Sequence, residues 1–284
     1  MMAGKLAVTP NRDKSHIFNQ IDYNEVNQYW NKAESSILGP YMMDGFGFPP
    51  KAGLFRFQAE KKIVKRLIQG LPRHCMLDLG SGIGYWSAYF AGYFSKVISV
   101  EASSSLFNAL EKRCAAHANI TTIKGDVLSF EPEEFYSVVF LGGMLMYLNE
   151  NDVIALLRKL TPFIEPGGVI LCRETTVPEG TVIRNGGYHA VYRSIQKYRD
   201  IFEQCGLRTV KVEPNLPYIL LQMGCESIKK WKHTVPQPMQ ILPVVGRLTY
   251  WGLRFCNPWI TQVPAFGGKT FPELTNHFFL LRPE

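Results

Sequence analysis

The 284-residue chain is poor in the features that define several large classes of protein. Nowhere does it run uncharged for the ~20 residues that a membrane-crossing helix requires, so no transmembrane segment is expected. Its six cysteines, Cys75, Cys114, Cys172, Cys205, Cys225 and Cys256, form no CxxC and no Cys/His pair at metal-ligand spacing. That argues against a zinc module or a disulfide framework and for reduced thiols in a cytoplasmic protein without a metal. The opening MMAGKLAVTPNRDKSH lacks the continuous apolar core of a secretory leader, and no internal repeat or low-complexity tract is evident. Its basic residues form no long stripe, and no Asn/Asp-Pro-Pro-aromatic signature is present, so nucleic acid is not the expected partner.

With 46% hydrophobic and 19% charged residues, the composition is that of a folded chain rather than a disordered one. Thirty-one Lys and Arg against 24 Asp and Glu leave a formal +7, a mild excess compatible with an anionic small molecule or an anionic surface. Apolar spacing predicts an amphipathic helix over 21–36 and another over 55–69, joined by the Gly- and Pro-rich GPYMMDGFGFPPKAG at 39–53. From residue 74 short apolar runs alternate with helical patterns. CMLDLG, KVISVE, ITTIKGD, YSVVFLG and GVILCRE read as strands separated by helices over 86–93, 104–117 and 152–163. That alternation predicts a parallel sheet covered on both faces. A helix over 195–205, the strand LRTVKVE and a closing strand HFFLLR at 277–282 follow. Between them, 214–275 breaks the pattern and reads as an insertion over the carboxyl edge of the sheet.

The chemistry concentrates in LDLGSGIG, residues 77–84, between a strand and a helix. Gly80, Gly82 and Gly84 permit a sharp turn and close approach of a ligand to the backbone. Asp78 beside a helix N-terminus would repel a pyrophosphate and suits a ligand with a cationic end. Glu101 ends the second strand, where a carboxylate can accept both hydroxyls of a ribose. Asp126, followed by Val127, ends the third, where it can accept from an adenine amino group while apolar atoms cover the ring. The set describes a nucleoside site with a cationic tail.

On these residues the chain resembles the class I S-adenosylmethionine-dependent methyltransferases over about residues 75–213. The resemblance implies an α/β, Rossmann-like, seven-stranded sheet with helices on both faces and an antiparallel last strand pair. It places an N-terminal tail and helical cover at 1–70, the core at 71–213, an insertion or lid forming part of the acceptor site at 214–275, and the closing strand at 276–284. It also implies S-adenosyl-L-methionine as cofactor, S-adenosyl-L-homocysteine as product, and in-line transfer of the sulfonium methyl. Cofactor contacts are expected from Asp78, Gly80, Ser81, Gly82, Gly84, Trp86, Glu101, Ala102, Asp126, Val127, Leu141 and Gly142.

For the acceptor, LMYLNENDV at 145–153, CRETTV at 172–177, YRSIQKYRDIFEQC at 192–205 and MGCESIKKWK at 223–232 are similar in order and spacing to the phosphoethanolamine (phosphobase) N-methyltransferases. QYW at 28–30, DGFG at 44–47 and PEG at 178–180 resemble the protein α-N-terminal methyltransferases. What the first resemblance implies is a small, amine-bearing acceptor, anionic or phosphorylated, with Tyr147 beside the amine, Tyr29 on a covering helix, and Tyr192 with Arg193 on phosphate. Tyr41 and Tyr188 join the expected acceptor contacts, and Tyr147, His189 or Glu174 could take the proton. O-methylation of a hydroxylated metabolite, methylation of a protein α-amino group, and nucleoside binding without catalysis remain as alternatives. Residues 239–256 read as a lid or dimer contact, in a monomer or homodimer, with a membrane-surface helix as the rival.

Overall fold

The computed structural model describes residues 20–32, 48–49, 51–185, 189–236, 243–260 and 272–284. In chain order the elements are α1 (Tyr23–Asn31), α2 (Lys51–Leu67), β1 (Cys75–Leu79), α3 (Tyr85–Phe90), β2 (Lys96–Glu101), α4 (Ser104–Cys114), β3 (Ile120–Lys124) and β4 (Tyr136–Leu141). There follow α5 (Glu150–Leu160), β5 (Ile164–Val177), β6 (Thr181–Arg184), β7 (Ala190–Ser194), α6 (Ile195–Gln204), β8 (Leu207–Pro214), α7 (Leu216–Thr234), α8 (Pro243–Ile260) and β9 (Thr275–Pro283).

The expected seven-stranded order is present: β3, β2, β1, β4 and β5 run parallel, β9 pairs antiparallel with β5, and β8 pairs antiparallel with β9. β1 and β4 are buried at every residue, as a sheet covered on both faces requires. On one face Leu77, Leu79, Val139 and Phe279 pack against Leu156 and Leu160 of α5 and Tyr198, Ile201 and Phe202 of α6. On the other, Met76, Val97, Val138 and Phe278 meet Phe57, Val64 and Leu67 of α2 and Trp86 and Phe90 of α3.

β5 is 14 residues long and outruns β4, whose pairing with it stops at Cys172. Thr176 pairs with Thr275 of β9 and with Arg193 of β7, so β7 occupies the edge that β4 has vacated. β6 adds antiparallel to β7. This hairpin therefore sits directly beyond the end of β4, above the loop that follows it. In the segment before β9, α7 and α8 pack together. A Cβ built at Gly224 would stand 2.7 Å from a Leu253 methyl, so a larger residue there would make Leu253 shift.

Candidate functional site

The glycine loop is shaped by β1 and β2. Gly80 and Ser81 each donate their N–H to the Val100 carbonyl at 3.0 Å, and the Ser81 hydroxyl donates back to the Asp78 carbonyl at 2.8 Å. Gly80, Gly82 and Gly84 all have positive φ. Their roles differ. An added Cβ would stand 2.8 Å from Met144 at Gly80 and 2.7 Å from Leu110 at Gly84, whereas at Gly82 it would meet nothing within 4 Å. Gly80 and Gly84 are thus packing positions, and Gly82 borders open space. Glu101 defines the other wall. Its two oxygens accept the N–H groups of Gly82 and Ser103, each at 2.8 Å, which fixes the carboxylate at the mouth of the loop. Burial raises the Glu101 carboxyl above its ordinary value, and these amides pull against that shift.

Asp78 lies beneath the loop, 1% exposed, and accepts the Ser87 hydroxyl at 2.6 Å. Burial pushes its carboxyl from 3.8 up to about 7, with Ser87 opposing and the Glu101 charge reinforcing. Asp126 is exposed and caps its own turn by accepting the Leu128 N–H at 2.8 Å, Val127 is buried beside it, and Ala102 is exposed. Leu141 is fully buried at the end of β4, and Gly142 opens the loop beyond. Trp86, expected at the cofactor, faces the core. It packs at 5.0 Å from the Phe57 ring and 5.2 Å from Phe140, in the aromatic core between α2, α3 and the sheet, because α3 turns that face inward.

The side of the site that carries Tyr147 is organised by α1. At its start, Ile21 and Asn149 exchange hydrogen bonds of 2.9 and 3.2 Å, and the Tyr23 hydroxyl accepts from Asn149 N–H while donating to Asp152. At its end, Ser103 donates to the Trp30 carbonyl at 3.0 Å and Ser104 N–H to Asn31 at 3.2 Å. A nine-residue helix therefore ties the loop after β2 to the loop after β4. Beneath it the Trp30 ring meets Tyr147 edge-on at 5.3 Å, and Tyr29 lies edge-on to Trp30 at 5.1 Å, 39% exposed.

Three buried charged residues brace the loop that carries Tyr147. Arg173 donates to the Gly142 carbonyl and reaches Glu60 at 3.0 Å. Glu174 accepts the Met144 and Leu145 N–H groups at 3.1 and 3.0 Å, while its second oxygen has no hydrogen-bond partner among the described residues. Arg193 donates to the carbonyls of Leu145 and Leu148 at 3.0 and 2.7 Å. Glu174 and Arg193 are both 0% exposed. Both therefore hold the loop in place through main-chain hydrogen bonds, with one Glu174 oxygen left over. Burial pushes the Glu174 carboxyl from 4.5 up to about 7, with the Leu145 amide, Arg173 and Arg193 opposing.

Sequence reasoning missed Arg173, Glu60, Asn149 and Ser103. The only local signal was the Arg173–Glu174 pair inside an otherwise apolar strand. Tyr192, expected at the acceptor, lines a cavity of about 610 Å³ between the β6–β7 hairpin and α7, together with Arg184, Glu226, Lys229, Lys230 and His233. His189 is half-buried beside β7, and its Nδ1 has no hydrogen-bond partner among the described residues. Tyr41, Tyr188 and the DGFG loop lie outside the described residues.

Comparison with known proteins fits this architecture. The family model described as AdoMet dependent proline di-methyltransferase matches residues 19–223. Phosphoethanolamine N-methyltransferase 1 of Triticum aestivum is 27% identical over 150 residues, 51% of this chain and 30% of the wheat protein, so the chain spans under a third of that relative's length. Alpha N-terminal protein methyltransferase 1 of Drosophila melanogaster is 20% identical over 219 residues, covering 73% of this chain and 77% of the fly protein. Among solved structures, phosphoethanolamine N-methyltransferase 1 of Haemonchus contortus, in complex with phosphoethanolamine and S-adenosylhomocysteine, superposes with a TM-score of 0.61 at 16% identity, over 92% of this chain and 49% of that one. The chain belongs to the AdoMet dependent proline di-methyltransferase family, and it shares the fold of the Haemonchus structure.

Proposed function

We propose that this family member transfers the methyl group of S-adenosylmethionine to the amine nitrogen of a small acceptor, anionic or phosphorylated. The observation that carries the reading is the single helix α1, which spans from the loop carrying Glu101 to the loop carrying Tyr147 and covers both. Glu101 and the open face of Gly82 would hold the nucleoside, with Asp126 and Val127 on the adenine side and Asp78 supplying negative charge below the cationic end. When bound, the cofactor supplies an electrophilic methyl on a sulfonium centre. The chain's own contribution is positional: the covering helix excludes water, and the braced loop fixes where the acceptor nitrogen stands. The attacking amine must be neutral, so its proton passes to Tyr147 or His189, directly or through water. Support for an acidic acceptor comes from the phosphoethanolamine enzymes among the relatives, and the cavity beside Tyr192 carries Arg184, Lys229 and Lys230 together with Glu226 and Glu273.

A second reading, methylation of a protein α-amino group, is favoured by the family description and by the length of the match to the fly protein. A tritium-methyl transfer screen over amines, phosphobases, hydroxylated aromatics and short peptides separates them. Label in an amine metabolite supports the first reading, label in a peptide supports the second, and label confined to hydroxylated aromatics overturns both. Calorimetry with S-adenosylmethionine and S-adenosylhomocysteine tests the cofactor assignment independently, and absence of binding by either refutes it.

A further inference from the structure

The charge of this protein is concentrated. From Ser227 to Pro272 there is no Asp or Glu, while Lys229, Lys230, Lys232, Arg247, Arg254 and Lys269 fall inside. Setting those six aside leaves 25 basic residues against 24 acids, so nearly all of the +7 resides in one segment. Three of the five tryptophans, Trp231, Trp251 and Trp259, lie there as well.

The segment includes α8, which has two opposite faces. Inward, Gly246 and Tyr250 are buried, Leu253 closes on Gly224 of α7, and Tyr250 packs with Ala52 and Leu221. The Arg254 guanidinium lies 3.9 Å over the Phe55 ring, which pins the helix to α2. Outward stand Val244 at 49%, Leu248 at 67%, Trp251 at 62% and Phe255 at 87% exposure. Their spacing of four, three and four residues puts them within an arc of about 60° at 100° per residue, with Arg247 and Arg254 along one flank. Large apolar side chains aligned this way on a docked helix stand exposed among the described residues, and an exposed apolar stripe of this kind marks an interaction surface.

We propose that α8, with Arg247 and Arg254 on its flank, is a docking surface for an anionic lipid bilayer. The apolar stripe would enter the acyl boundary, Trp251 would sit at the headgroup level, and the cations beside it would meet lipid phosphates and carboxylates. Charge selects this occupant. A second copy of the chain would bring one acid-free, six-cation segment against another, which repels, whereas an anionic bilayer supplies the opposite sign. The helix is not long and apolar enough to cross the membrane, so the contact is peripheral.

The test is sedimentation of the full chain with vesicles of phosphatidylcholine alone or mixed with phosphatidylserine, at low and high salt. The wild type should sediment with the mixed vesicles, much less with the neutral ones, and less at high salt. The double variant Leu248→Ser/Phe255→Ser should bind the mixed vesicles roughly tenfold or more weakly, and Arg247→Glu should lose part of the preference for anionic lipid. Melting temperatures within a degree or so of wild type certify that the variants fold, without reference to cofactor or methyl transfer. Equal sedimentation with both vesicle types, or undiminished binding by the double variant, overturns the proposal. So does a homodimer in ultracentrifugation that the double variant dissociates.

Discussion

Replacing Arg193 by methionine separates a phosphate clamp from a loop brace. Methionine fills most of the volume but removes both hydrogen bonds to the carbonyls of Leu145 and Leu148 and one of the cations that hold down the Glu174 carboxyl. Breaking a buried charged network by removing one member costs about 3–5 kcal/mol. At about 2–4 °C per kcal/mol for a chain of this size, the melting temperature should fall on the order of 10 °C. The loss should also depend on pH in a determined direction. The Glu174 carboxyl is raised from 4.5 to about 7, so between those values the folded chain holds a proton that the unfolded chain has released, and stability falls as pH rises. Above about 7 the wild type levels off. Without Arg193 the folded carboxyl titrates higher still, and stability keeps falling at up to about 1.4 kcal/mol per pH unit. Thermal melts from pH 6 to 8.5 should therefore show a gap between variant and wild type that widens with pH. In kinetics, kcat should drop through misplacement of Tyr147, while affinity for S-adenosylhomocysteine changes by no more than about twofold. A variant that melts with the wild type at every pH, and only raises KM for anionic acceptors, would refute the brace and restore the clamp.

Three further outcomes follow from the site. Asp78 is raised from 3.8 to about 7, so in the free protein it is largely protonated at pH 6, and S-adenosylmethionine should bind more tightly as pH rises to about 7 and level off above. The limit is about tenfold per pH unit, with proton release seen by calorimetry in two buffers, and an Asp78→Asn variant that keeps the same slope would contradict the assignment. Gly82→Ala should fold with a cost of about 1–2 kcal/mol from its positive φ yet lose cofactor affinity, because its Cβ enters the open cradle. Gly84→Ala, whose Cβ would stand 2.7 Å from Leu110, should instead lose more stability in denaturant melts. Tyr147→Phe should keep the edge-on contact with Trp30 and the melting temperature; if the hydroxyl takes the proton, kcat falls roughly a hundredfold or more, and an unchanged kcat passes the role to His189.

The parts of this protein legible in its sequence are those whose physics is local. The strand–glycine–helix turn of 77–84, the acids at the ends of β2 and β3, and the alternation that gives a parallel sheet are each specified within a few residues, and the fold agrees with them. The brace is specified by pairs far apart. Arg173 meets Glu60 across 113 positions, and Arg193 reaches the Leu145 carbonyl across 48. A charged residue at the end of a buried strand reads the same in sequence whether it faces a ligand or a loop. Burial decides, because a fully enclosed guanidinium needs acceptors, and here main-chain carbonyls of the 145–148 loop supply them. The β6–β7 hairpin escaped notice for a related reason: its two strands have four and five residues, and its place is fixed by the edge that β5 exposes beyond β4. The two omissions are one structure. The hairpin carries Arg193 into position over the loop, so the extension of β5 and the acceptor-side geometry rise or fall together. A variant that unpairs β7 from β5 should therefore reproduce the kinetic signature of losing Arg193.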